Sequence, residues 1–146
     1  MKKYPKRKFN RLQDFDYSAG GAYHIVICSK NRDLIFSEIN ENTYEICLTP
    51  IGKIIDDCIK FLSTKPNQNV EKYVIMPNHI HILLILDDIN VEGTQYSNRL
   101  GVFVSSLKRF TNKKFGRDLW QRSYYDNIIR DEENFFEYGN ISMKTQ

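Results

Sequence analysis

The sequence is poor in the residues that build disulfide frameworks, flexible linkers and membrane spans. Its three cysteines, Cys28, Cys47 and Cys58, are odd in number and lack C-x-x-C spacing, so neither a disulfide framework nor a cysteine zinc site is predicted. Seven glycines and four prolines in 146 residues argue against a long disordered linker. No apolar stretch approaches the length of a membrane span and no signal-peptide core follows the basic start, so we expect a cytoplasmic protein with no membrane partner.

The small formal charge of +3 conceals an uneven distribution. Residues 1–11 hold six bases and no acid, and residues 1–21 are predicted to form a basic N-terminal arm. Residues 101–122 form a second basic segment with a single acid, Asp118. The bases of this segment are Lys108, Arg109, Lys113, Lys114, Arg117 and Arg122. Because clustered bases release counterions from phosphates, both segments indicate a nucleic-acid partner.

Apolar periodicity predicts alternating strands and helices in one domain, residues 22–146. The predicted elements are a strand at 22–29, a helix from Pro50 to Leu62, two strands within 70–86 separated at Met76-Pro77-Asn78, a helix from Leu100 to Phe110 and beyond, a short strand within 120–130, and a last helix running toward Asn140. This strand-helix-strand-strand-helix-strand order is the ferredoxin-like arrangement, an α+β fold with an antiparallel sheet and helices on one face. We therefore expect the other face to be free for a ligand.

The string Met76-Pro77-Asn78-His79-Ile80-His81 carries the chemistry that the sequence indicates most directly. Side chains alternate between the faces of a strand, so His79 and His81 are predicted to project together while Ile80 points to the core. Two imidazoles on one face can hold one divalent ion, although so short a pattern also arises by chance at a strand end. His24, in the first strand, is interpreted as a core or edge histidine rather than a ligand.

Four blocks of sequence, in order, carry a resemblance to one family. They are residues 23–32 (YHIVICSKNR), 73–86 (YVIMPNHIHILLIL), 100–108 (LGVFVSSLK) and 120–132 (WQRSYYDNIIRDE). They resemble the HUH single-tyrosine transposases, in particular the REP-associated branch of the IS200-like group. The resemblance implies a metal-dependent DNA strand transferase that cuts single-stranded DNA near a hairpin. It implies His79 and His81 as ligands of Mg²⁺ or Mn²⁺, and a homodimer that shares its site between a histidine pair and a tyrosine helix.

In such enzymes a tyrosine attacks the scissile phosphodiester, which gives a 5′-phosphotyrosyl intermediate and a free 3′-hydroxyl. The C-terminal end departs from the family pattern, Tyr-Ile-x-x-Asn-Pro, because the corresponding position is Ile141, so this end is expected to be truncated or divergent. Tyr138 is the only tyrosine of the predicted last helix and is the candidate nucleophile, with a packing residue as the alternative. Asn140 or Ser142 could only partly fill the place of a third metal ligand.

Several assignments stay open on the sequence alone. Tyr124 and Tyr125 are interpreted first as structural or DNA-contacting residues. Phe115 and Trp120 lie among the basic residues and could stack on unpaired nucleobases, whereas Phe110 belongs to the apolar stripe of its helix. A catalytically impaired protein that binds DNA hairpins is the alternative function, and an RNA-binding domain of the same fold is a third, because the basic segments do not distinguish ribose from deoxyribose.

Overall fold

The described part of the chain folds in the predicted alternation of strands and helices up to the last strand, with one added pair of strands. The structure is a computed structural model and describes residues 20–87 and 99–129. Its elements are β1 (Gly21–Ser29), β2 (Ser37–Ile39), β3 (Ile46–Leu48), α1 (Pro50–Leu62), β4 (Gln68–Ile75), β5 (His79–Leu86), α2 (Arg99–Phe115) and β6 (Trp120–Ile129), with a single 3-10 turn over Lys30–Arg32. Strands β2 and β3 pair only with each other, and the sequence did not predict them.

The four longer strands form one antiparallel sheet in the order β4-β5-β1-β6. The first and third strands of the predicted core therefore lie at the centre of the sheet, and the second and fourth lie at its edges. This order is that of the ferredoxin-like fold, so the predicted α+β class is confirmed. It also brings β1 and β5 into direct contact, with Cys28 opposite His79 and Val26 opposite His81.

Both helices cover the same face of the sheet. Helix α1 starts where predicted, because the Thr49 hydroxyl accepts the Gly52 N–H at 3.0 Å and Pro50 occupies the first turn. The buried core between helices and sheet includes Tyr23, Ile25, Ile27, Ile55, Ile59, Ile80, Ile82, Leu84, Leu100, Phe103, Val104 and Leu107. Alternate residues of β1 and β5 supply the sheet side of this core, as strand geometry requires.

The second face of the sheet is less open than predicted. Val74, Leu83 and Ile129 form a separate buried cluster there, with Ala22 and Met76 packed against it. Such a cluster is hydrophobic surface removed from water, so it does not serve as polar ligand surface. The polar part of this face lies toward the start of β5, where the two histidines are.

Several predicted segments lie outside the described residues. These are positions 1–19 of the basic arm, most of the loop predicted at 87–97 and the predicted last helix with Tyr138, Asn140, Ile141 and Ser142. In residues 20–87 and 99–129, no helix is long and apolar enough to cross a membrane.

Candidate active site

Hydrogen bonds from two neighbouring segments of the same chain anchor the turn before β5. The Asn78 carbonyl accepts the Ser29 N–H and the Pro77 carbonyl accepts the Phe36 N–H, each at 2.9 Å. The Met76 N–H donates to the His79 carbonyl at 2.8 Å and closes the turn. The Pro-Asn pair thus ends β4 as predicted and fixes where β5 begins. As a result, His79 is the first residue of β5, at one end of the central pair of strands.

His79 and His81 project from the face of the sheet opposite the helices. Ile80 between them is fully buried in the helix-side core. The two imidazole centroids lie 4.9 Å apart, with the ring planes at 77°. Both rings are half-buried, so they are reachable from solvent but poorly hydrated. The strand alternation therefore brings two imidazoles together at one place on the surface.

Asn78 orients the first of these rings. Its side-chain carbonyl, Oδ1, lies 2.8 Å from His79 Nδ1. A carbonyl oxygen can only accept, so Nδ1 carries the proton and Nε2 of His79 keeps its lone pair. This is the tautomer that a metal ligand needs when its partner is an outer carbonyl group.

His24 orients the second ring, a contact that the sequence did not predict. His24 is 6% exposed, in agreement with its interpretation as a core histidine. Its Nε2 lies 3.0 Å from His81 Nδ1, and the two rings are parallel with centroids 5.2 Å apart. When His81 Nδ1 donates this hydrogen bond to His24 Nε2, His81 Nε2 keeps its lone pair for a ligand. The register of β1 against β5 creates this contact, since Val26 faces His81 and His24 is the next residue on the same face.

The protonated, positively charged form of all three imidazoles is disfavoured. Burial, followed by the neighbouring His79 and His24, lowers the pKa of His81 to about 4. Burial also lowers the pKa of His24, and burial together with the Arg32 charge lowers the pKa of His79. Near neutral pH the cluster is therefore uncharged, and its nitrogen lone pairs are available to a cation.

The donor set fits a divalent metal but is incomplete by itself. Among residues 20–87 and 99–129 no group of three or more His, Cys, Asp or Glu side chains is arranged to hold a metal ion. Neutral imidazole nitrogen is a common ligand of divalent transition metals, and two of these rings expose one nitrogen each. The predicted partial ligands Asn140 and Ser142 lie outside the described residues, so a third ligand stays a prediction.

The tyrosines and aromatics of the last strand divide between the two faces. Tyr124 is buried in the core, whereas Tyr125 is 54% exposed. Tyr125 lies opposite Val26, which in turn lies opposite His81, so Tyr125 shares the histidine face two strands away. Trp120 is only 2% exposed and its indole N–H donates to the Thr111 hydroxyl at 2.8 Å. Trp120 is therefore a core residue, and the possibility that it stacks on bases is wrong.

The predicted DNA-binding residues lie in α2, in the turn after it (Arg117) and near the start of β6 (Arg122), toward the end of the sheet where His79 is found. Arg109, Lys113, Lys114, Arg117 and Arg122 are all exposed. The basic end of α2 leads directly into β6, whose first residue, Trp120, lies opposite Ser29 at the end of β1. Lys108 has main-chain partners, since its ammonium donates to the carbonyls of Gln121 and Arg122 at 2.8 and 3.0 Å. Phe115 stays partly exposed, 5.4 Å from the Arg117 guanidinium.

The fold is that of solved transposase structures. It matches a REP-associated tyrosine transposase bound to a REP hairpin with a TM-score of 0.62 and 14% identity, over 94% of this chain and 68% of that one. It also matches a candidate transposase from Deinococcus radiodurans R1 with a TM-score of 0.52 and 15% identity, over 90% of this chain and 94% of that one. An uncharacterized protein of Haemophilus influenzae is 29% identical over 153 aligned positions, which cover 90% of this chain and 83% of the relative.

The chain belongs to the IS200-like transposase family, whose family model matches residues 18–135. The match includes β1, both helices and the strand that carries His79 and His81. It ends before Tyr138 and Ile141, so the family match does not include the departure noted at the C-terminal end.

Proposed function

We propose that this transposase is a REP-associated tyrosine transposase that cuts and rejoins single-stranded DNA beside a hairpin, with Mg²⁺ or Mn²⁺ held by His79 and His81. One observation carries the proposal, the pair of neutral imidazoles whose Nδ1 atoms are both engaged. Each ring then presents Nε2 as its available donor, which is how ligating histidines are oriented by outer partners. The hairpin seen on a transposase of the same fold supports the choice of DNA substrate.

A bound divalent cation would polarise the scissile phosphate and stabilise the charge that develops on it. The chain itself supplies the nucleophile, for which Tyr138 is the candidate. Its phenolic oxygen forms a bond to phosphorus, the bond from phosphorus to the 3′-oxygen breaks, and the proton lost by the phenol is balanced by one gained at the 3′-oxygen. Because the phosphotyrosyl ester conserves the energy of the broken bond, resealing needs no nucleotide cofactor.

The exposed bases at the end of α2 would hold the DNA backbone around the edge of the sheet. Arg117 and Arg122 lie at the end of the molecule where His79 is found, so one strand of nucleic acid can contact these arginines and the histidine pair without crossing the apolar cluster of the second face.

We propose a homodimer as the active form. Light scattering of the purified chain tests this proposal, and a monomer mass at micromolar concentration would contradict it.

The test is adduct formation on a labelled single-stranded hairpin oligonucleotide. With Mn²⁺, wild type is expected to form a denaturant-stable protein–DNA adduct that His81→Ala and Tyr138→Phe abolish. Tyr44→Phe is the matched control, because Tyr44 is 79% exposed in the loop between β2 and β3. If the adduct survives Tyr138→Phe, the nucleophile is another tyrosine, and Tyr125→Phe on the histidine face is the next variant.

The second candidate is a protein of the same fold that binds the hairpin without cutting it. The observation that favours it is Ile141 at the position of the family nucleophile. It predicts salt-dependent hairpin binding with no adduct in any divalent metal.

A further inference from the structure

Arg32 lies in an unusual turn at the edge of the histidine pair. Asn31 and Arg32 follow β1 after a single residue, Lys30, and have φ of 58° and 60°, the left-handed region that non-glycine residues seldom occupy. The turn is closed by the Ser29 hydroxyl, which donates to the Asp33 carbonyl at 2.7 Å, and by the Asp33 N–H, which donates to the Lys30 carbonyl at 3.2 Å. Strained backbone of this kind is concentrated at functional sites.

Two contacts connect this turn to the histidines. Arg32 Nη1 lies 3.6 Å from the sulfur of Cys28, the residue directly opposite His79. The Asn78 side chain bridges the two groups, because its Nδ2 lies 3.4 Å from the Arg32 carbonyl while its Oδ1 lies 2.8 Å from His79 Nδ1. The guanidinium is also close enough for its charge to act on the pKa of His79.

Most N–H donors of this guanidinium have no acceptor among the described residues. Of its five N–H donors, the contact with the Cys28 thiol occupies one, and sulfur is a weak acceptor. Within residues 20–87 and 99–129, no carboxylate forms an ion pair with Arg32. The adjacent imidazoles are neutral, so among residues 20–87 and 99–129 Arg32 is the permanently charged group in contact with the histidine site. A planar guanidinium with free donors matches the two non-bridging oxygens of a phosphodiester.

We propose that Arg32 binds a backbone phosphate of the DNA strand at the histidine site. The phosphate contact rests on the proposed function for its ligand, single-stranded DNA, but it does not require cleavage. The left-handed turn and Asn78 hold the main chain of Arg32 beside His79, and the Cys28 contact places the guanidinium there, so the phosphate is positioned next to the two available Nε2 atoms.

The experiment measures hairpin binding by fluorescence anisotropy over a range of salt concentrations, with EDTA present so that no cleavage occurs. Removing one phosphate contact on a single strand lowers the slope of log K against log salt by about 0.7. The slope measured for Arg32→Gln is expected to be smaller than that of wild type by this amount. The slope for Arg32→Lys, which keeps the charge, is expected to be close to that of wild type. Lys65→Gln is the control for lost charge, because Lys65 follows α1 near the far end of β5.

Calorimetry with Mn²⁺ tests the competing structural role on the same variants. Arg32→Gln is expected to keep the wild-type affinity for Mn²⁺, since the Asn78 bond uses the Arg32 main chain. Unchanged salt slope in Arg32→Gln, an equal loss in Lys65→Gln, or loss of Mn²⁺ binding in Arg32→Gln would each overturn the phosphate contact. A wild type that binds the hairpin but forms no adduct with Mn²⁺ overturns the cleavage proposal alone, and one that binds no hairpin overturns both.

Discussion

Substitution of His24 tests whether the histidine cluster binds a metal. His24 is buried and does not present itself as a ligand, since its Nε2 faces His81 Nδ1 at 3.0 Å. For His81 to use Nε2 as a ligand, its proton must reside on Nδ1, and His24 Nε2 is the acceptor for that proton. His24→Phe keeps a ring in the same space but removes the acceptor. His24→Gln supplies an amide oxygen that can accept the same proton.

The expected effect is set by the loss of this one orienting bond. Removing an outer partner of a ligating histidine costs 10-fold to 100-fold in metal affinity, or about 1.4–2.7 kcal/mol. We therefore expect His24→Phe to bind Mn²⁺ roughly 10–100 times more weakly than wild type, and His24→Gln to recover a large part of the difference.

Isothermal titration calorimetry with Mn²⁺ measures these affinities, and circular dichroism confirms that each variant is folded. His81→Ala serves as the reference for complete loss of one ligand. Equal Mn²⁺ affinity of wild type and both His24 variants would refute the orienting role. If His24→Phe fails to fold, a wild-type affinity in His24→Gln combined with a weaker one in His24→Ala carries the same test.

Three further predictions concern stability. Thr111→Val leaves the buried Trp120 N–H without its acceptor and should lower the free energy of unfolding by about 1–3 kcal/mol in urea titrations; an unchanged midpoint would contradict this. Gly52→Ala, normally favourable in a helix, should destabilise by about 1–3 kcal/mol in the same assay, because its Cβ would lie 2.1 Å from the Phe36 carbonyl oxygen; a rise in stability would show that the contact relaxes. The metal-free protein should lose stability as pH falls from 6.5 toward 4, since His81 binds its proton more readily unfolded than folded, and urea midpoints of His81→Gln should fall less steeply over that range; parallel curves would argue against it.

The fold was predictable where local pattern and tertiary packing agree. The helical spacing of α1 and the cap at Thr49 gave its bounds, and Pro77 with Asn78 marked the break between β4 and β5. The β2–β3 pair was missed because each strand has only three residues, too few for a periodic signal. Strand β6 is ten residues long and carries the buried Asp126, which interrupts the apolar pattern that a long strand would show.

Only the part of the candidate site that lies along one strand, β5, was predictable from the sequence. Alternation in β5 suffices to place His79 and His81 on one face. The contact of His24 with His81 depends on the register of β1 against β5, which no local pattern contains. The same holds for Trp120, whose indole is buried because α2 folds back to place Thr111 beside it. Contacts between distant parts of the chain follow from strand order, and strand order is a property of the whole sheet.

The measurement that tests the central claim most directly is mass spectrometry of the protein after incubation with hairpin DNA and Mn²⁺. We expect a 5′-phosphonucleotide on one tyrosine, on the peptide that contains Tyr138, and its absence with EDTA or in His81→Ala. Hairpin DNA that is bound but left intact in Mg²⁺ and Mn²⁺, or a phosphotyrosyl adduct that forms in EDTA, would contradict a metal-dependent transferase centred on His79 and His81.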